Sequence, residues 1–247
     1  MTIAPDRLAV LDTTVLTVGK HTSPKDGMCW AELVAYIAGE PHSDHPTCTS
    51  SVLADMGRKL NDSLPDDKRQ RLVPLTVEAV GTAVDGHDQA RGLLAMDWLI
   101  RVYTPTWLRL AGLEAEAVSL EGLPTIVSWG DVEAAVPVIK AAEVQAKVAS
   151  SAANSAASSA ASSVASSAAY SVAAHSAAYS AASSAAYSVA SSAASSAAHS
   201  AAYSVAHSVA SSAAYSVAYS AATSALAPTV DTLQDSAIEL LARMVAA

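Results

Sequence analysis

Residues 151–170 read SAANSAASSAASSVASSAAY, and the serine at every fourth position in them decides what kind of fold the chain adopts. The column holds from Ser151 to Ser171 and, after one extra residue near Ala173-Ala174, from Ser176 to Ser224. Each serine is followed by Ala or Val, then by Ala (Leu226 in the last unit), then by a variable residue. The variable column includes Tyr170, His175, Tyr179, Tyr187, His199, Tyr203, His207, Tyr215 and Tyr219. No charged residue occurs from Val148 to Val230, and neither Gly nor Pro from 148 to 227. Self-similarity at a fixed period marks a repeat architecture.

Helix is the default state of such a tract, because alanine is the best helix former and serine costs only about half a kcal/mol relative to it. An α-helix turns 100° per residue, so a four-residue unit overshoots a full turn by roughly 40°. On a straight helix the serine column therefore circles the axis instead of keeping one face. The columns stay aligned if the helix supercoils right-handedly, underwinds, or folds back on itself. All three use small side chains that let backbones approach closely. Two other states are compatible with the composition: a disordered Ser-rich filler, and a silk-like or β-solenoid strand array, which the low strand preference of alanine opposes.

Outward from the repeat, the chain changes character. There is no Phe, and Leu and Trp thin out after residue 130, so an ordinary hydrophobic core belongs to the N-terminal half. Residues Leu8 to Leu16 form a short apolar stretch that reads equally as helix or strand. Apolar spacing of three and four predicts a helix from Met28 to Ile37, stopped by Gly39 and Pro41. Thr49 or Ser50 caps a second helix through Leu60. Asp66 and Asp67 open a third that reaches Val80, divided at Pro74. Asp85 or Gly86 opens a fourth, which Pro105 breaks before Trp107 and Leu108. Residues 113–130 read as a connector with an extended piece around Ile126 and Val127. A helix restarts near Asp131, and Pro228 ends the repeat before a last amphipathic helix. The fold class expected is mainly α. A helical head over 1–112 leads through a connector and leading helix over 113–147 to the repeat over 148–227. A capping helix over 228–247 closes the chain.

The formal charge of −9, with only 14 Lys and Arg, argues against a nucleic-acid partner, since phosphate contacts need clustered base. The densest group, Lys68, Arg69 and Arg71, lies among Asp66 and Asp67 and reads as a solvated helix face. No apolar run is long enough to span a bilayer, and the first residues lack a signal-peptide pattern. Two cysteines make no disulfide framework. A cytoplasmic protein is expected.

Reactive side chains concentrate in DGMCWAELVAYIAGEPHSDHPTC, residues 26–48. Cys29, His42, His45 and Cys48 are ligand types that tetrahedral zinc accepts, although their spacing matches no standard finger. The bland reading makes the cysteines small buried hydrophobes and the histidines loop residues. Alternatively Cys29, at a helix start that lowers a thiol pKa, is a nucleophile with His42 or His45 as base and Asp44 as orienter. Cys-Trp at a helix start is similar to papain-like proteases, but their flanking pattern is absent. Glu32 reads first as an exposed carboxylate, and Asp85-Gly86-His87-Asp88 as a turn with a helix cap.

Asp26-Gly27-Met28-Cys29, the run Ala35 to Pro46 (AYIAGEPHSDHP) and Asp97-Trp98-Leu99-Ile100-Arg101 resemble an uncharacterised family of actinobacteria and their phages. Its members pair such a head with an Ala-rich four-residue repeat. The resemblance covers nearly the whole chain, but Ser, Tyr and His stand here where charged residues or Trp are common in the family. It implies an architecture and no activity. The function expected is therefore a non-enzymatic structural or interaction protein, in contact with a protein partner or with itself through the repeat. A Cys/His enzyme (zinc or thiol) and an ice- or surface-binding repeat are the alternatives.

Overall fold

The computed structural model describes residues 3–154 and 214–247. It is mainly helical, as the composition predicts. The tetrads at 155–213, and with them the ordered helical packing expected of the repeat, lie outside the described residues. Residues Met1–Ala95 and Gln234–Ala247 form one compact unit and Met96–Leu233 a second.

In the first unit a 3-10 helix, Pro5–Asp12, resolves the ambiguity of the leading apolar stretch. It is tied to α1 (Trp30–Ile37) by a bond from the Ala4 N–H to the Ile37 carbonyl and by Arg7, which donates to the Tyr36 carbonyl. Leu16 pairs with Met28 in an isolated parallel bridge, which puts the loop 17–28 across the start of α1. Six of the eight α1 side chains are apolar and buried, and Gly39, at φ +75°, supplies the left-handed turn that ends the helix.

Ser50 caps α2 (Ser51–Ser63) by accepting from the Leu53 N–H. Gly57 in α2 lies under the Trp30 indole, and Trp30 is fully buried, with its ring N–H donated to the Leu72 carbonyl at 3.0 Å. Pro74 divides the third helical stretch, as expected. The pieces are α3 (Asp66–Arg69), a 3-10 turn (Gln70–Leu72) and α4 (Leu75–Ala79).

The basic group in this stretch is not a solvated face. Arg69 is buried and donates to the Asn61 and Leu64 carbonyls, while Lys68 and Arg71 both reach Asp235. Charge along a short helix does not reveal that a distant segment packs on it. Arg91 makes a second tie to the C-terminal segment. It is 1% exposed, grips the Asp85 carboxylate with two nitrogens and donates to the Met244 carbonyl.

Helix α5 (Asp88–Trp98) runs on into a π-helical turn, Leu99–Tyr103, and then α6 (Thr104–Leu110). Pro105 therefore does not break the helix. It sits in the first turn of α6, where the wider π turn has shifted the hydrogen bonds (the Thr104 N–H donates to the Leu99 carbonyl) and a missing N–H is absorbed. The same turn sets Trp98 and Tyr103, five residues apart, ring against ring at 5.1 Å, with Trp107 edge-on to Tyr103. The connector also differs from expectation, because residues Glu114–Glu121 form α7, which buries Ala117 and Leu120. Arg109 holds the end of α7 by gripping Glu121.

Helix α8 (Trp129–Asn154) starts on a reciprocal cap. Asp131 accepts from the Val127 and Ser128 N–H groups, and the Ser128 hydroxyl oxygen accepts from the Asp131 N–H. Its buried residues are Val132, Ala135, Ile139, Ala142 and Ala146, a seam of alternating threes and fours. The last helix, α9 (Ala214–Val245), runs straight through Pro228, so that proline does not end the repeat's helix. Pro228 is exposed, which leaves the carbonyl it cannot satisfy open to water. Beyond it, Leu233, Ala237, Leu240, Leu241 and Met244 are buried. No helix among the described residues is long and apolar enough to cross a membrane.

Candidate functional site

The chemistry of the head centres on Glu32, which the sequence presents as an exposed carboxylate and the structure buries completely. The reason is local. Cys29 is extended and serves as the cap of α1, so the residue three further on faces back toward the cap and the incoming loop. The Glu32 carboxylate accepts the Cys29 N–H at 2.8 Å and the His21 N–H at 2.7 Å, and it lies 2.7 Å from His21 Nδ1. Burial alone raises a carboxyl's pKa. Here the backbone donors from Cys29 and His21, with the His21 ring, more than offset that, and Glu32 is held below the ordinary range as an anion.

Around this anion the loop closes. His21 Nε2 lies 2.9 Å from Thr17 Oγ1. His42 Nε2 lies 3.1 Å from the His21 carbonyl and 3.5 Å from Glu32 Oε1, and its Nδ1 is buried without a hydrogen-bond partner. Asn61, fully buried on α2, donates to the Thr17 carbonyl and accepts from the Trp30 N–H, so it fixes both edges of the loop. Gly27, at φ +130°, passes so close that an added Cβ would lie 2.7 Å from Thr17 Oγ1 and 2.8 Å from His21 Cδ2.

The residues singled out by the sequence are placed differently. Cys29 is buried at the cap, and its thiol is pushed up to about 12, first by burial. That opposes the thiolate a nucleophile needs. Cys48 is buried beside the Thr49 hydroxyl, with its thiol also raised by burial. Asp44 pairs with Lys20 at 3.0 Å, and His45 is largely exposed, 3.8 Å from Asp44. Of the set Cys29, His42, His45 and Cys48, only Cys29, through its backbone N–H, and His42 reach the Glu32 cluster. Among the described residues no group of three or more His, Cys, Asp or Glu side chains is arranged to hold a metal ion. The Asp85-Gly86-His87-Asp88 run is a turn, with Asp85 Oδ1 accepting the His87 N–H.

Thr17 and His21 were missed because nothing in their own neighbourhood is unusual. The available signal was Glu32 itself, an acidic residue three after a cap, which points into whatever precedes the helix.

The thiol environment gives a direct expectation. A group with a pKa near 12 is about a thousandfold less ionised at pH 8 than a free cysteine, so Cys29 should react with iodoacetamide at least that much more slowly than in denaturant. Mass spectrometry of the native protein should find both thiols unmodified while the unfolded chain is doubly alkylated. Fast native alkylation at Cys29 would restore it as a nucleophile.

Comparison with family models, with curated proteins and with solved structures returns no match to this chain.

Proposed function

We propose that this chain is a structural or interaction protein whose working surface is the Ala/Ser repeat, through which copies associate with one another. The observation that supports this most is how the repeat joins its neighbours. Its first tetrad, Ser151–Asn154, continues α8 without a break, and Ala214–Ala227 continues directly into the buried part of α9. Each end thus shares a helix with a segment whose apolar seam is covered: Val132 to Ala146 on one side, Leu233 to Val245 on the other. A segment flanked by a helix on each side suits a presented surface. Identical small-residue units are also self-complementary, since the face one copy offers is the face another needs. The family resemblance of the head and repeat is in keeping with this reading and adds no activity to it.

Sedimentation velocity over a range of concentrations tests it. The full chain should sediment as a multiple of one chain's mass. Replacing residues 155–213 with a short Gly/Ser linker should give single chains, and Ala186→Leu with Ala198→Leu should weaken association by crowding a close approach. If the full chain sediments as single copies at every concentration, the reading fails.

A further inference from the structure

We propose that Thr17, His21 and Glu32 form a hydroxyl–imidazole–carboxylate relay that makes the Thr17 hydroxyl a nucleophile toward carboxylic esters. This goes beyond the role of the repeat and does not depend on it. The distances are those of an activated hydroxyl: 2.9 Å from Thr17 Oγ1 to His21 Nε2, and 2.7 Å from His21 Nδ1 to Glu32 Oε2. An ionised carboxylate only accepts, so Nδ1 carries a proton, and in the neutral ring Nε2 then turns its lone pair to the Thr17 hydroxyl. That is the tautomer a general base needs, and Glu32 is the positioning residue that fixes it.

The backbone that carries the three is itself hydrogen-bonded. The Thr17 N–H donates to the Met28 carbonyl, the Thr17 carbonyl accepts from Asn61, and the His21 N–H is held by Glu32. Glu32 is fully enclosed, whereas His21, with its side chain 12% exposed, and Thr17 are both half-buried. Gly27 packs against the Thr17 end of the relay, and any Cβ there would press on Thr17 Oγ1 and on His21. Next to the relay, His42 Nδ1 is buried without a partner. A group left so costs on the order of 1–3 kcal/mol and calls for a reason beyond packing.

The chemistry balances without a cofactor. Thr17 Oγ1 attacks the carbonyl carbon of an ester R–CO–OR′, and its proton passes to His21 Nε2 as the Oγ1–C bond forms. The adduct collapses, the C–OR′ bond breaks, and the proton moves from Nε2 to the leaving oxygen to release R′OH. Water, deprotonated by the same imidazole, then cleaves the Thr17 ester to R–COOH and restores the hydroxyl.

The test uses the full chain with a fluorophosphonate, which hydroxyl nucleophiles attack at phosphorus with loss of fluoride, and with p-nitrophenyl acetate. One adduct per chain is expected, on the peptide that contains Thr17. Thr17→Val, which removes only the hydroxyl, and His21→Gln should each slow labelling and acetate release by about a hundredfold or more. Thr17→Ser should retain both reactions. Circular dichroism establishes that each variant is folded. An unlabelled wild-type Thr17, or a folded Thr17→Val labelled at the wild-type rate, would overturn the proposal.

Discussion

Gly57→Ala should destabilise the head by about 2–3 kcal/mol, although it places a better helix former in the middle of a helix. On propensity alone the change in α2 stabilises by roughly 1 kcal/mol. Packing decides the sign. A Cβ at position 57 would lie 2.0 Å from Trp30 Cε3 and 2.3 Å from Cζ3, far inside contact distance. The indole cannot swing away, because Trp30 is fully buried and its ring N–H is held by the Leu72 carbonyl. Overpacking of this kind costs on the order of 1–3 kcal/mol, and more when neither partner can move. A lowering of the melting temperature by about 10 °C should be seen by circular dichroism. Combining Gly57→Ala with Trp30→Leu should cost less than the two changes added together, because each relieves the other's strain. A silent Gly57→Ala would mean that α1 and α2 can slide apart at no cost.

Glu32→Gln should be comparably severe, by about 2–4 kcal/mol at pH 7. The carboxylate takes two backbone N–H groups and an imidazole N–H in a dry site, whereas an amide presents one acceptor and one donor. Its NH₂ would then face another donor, and a buried group is left unsatisfied whichever way it turns. The pH dependence has a definite sign. Glu32 is held below its ordinary value of 4.5 in the folded chain, so its stabilisation is complete above the unfolded value and is lost as pH falls through the lowered one. Urea unfolding from pH 7 down to pH 3 should show the gap between wild type and Glu32→Gln narrowing below about pH 4.5. A gap that stays constant over that window would mean that the anion is not what holds the loop.

Local signals in the sequence were accurate where local physics decides the outcome. Gly39 as a left-handed stop, Ser50 as a cap and Pro74 as a divider follow from backbone geometry at single residues, and each stands in the structure. Prolines were over-read at 105 and 228, because a propensity penalty measured in a regular helix ignores a π turn that absorbs the lost bond or water that satisfies the freed carbonyl. The stretch Glu114–Glu121 was passed over because only Ala117 and Leu120 are buried there, too few for an apolar stripe to show.

The reading of Glu32 as an exposed carboxylate failed for a related reason. Histidine and cysteine draw attention by type, yet the cluster is organised by a glutamate whose role depends on the loop laid over it. The partner of that loop, Asn61, is 44 residues from Thr17, a separation no local pattern encodes.

The return of residues 234–247 to the unit that begins the chain has a consequence for the order of events during synthesis. The segment that supplies Asp235 to Lys68 and Arg71, and the Met244 carbonyl to Arg91, is translated only after the whole stretch 96–233. At about 5–20 residues per second this interval is on the order of ten seconds. Throughout it the nascent first unit carries a buried-type arginine with no carbonyl to bind and an uncovered apolar surface where Leu240, Leu241 and Met244 will seat. The ribosome-bound chain therefore exposes a binding surface for chaperones that the finished protein lacks, and completing the fold requires closing a very long loop.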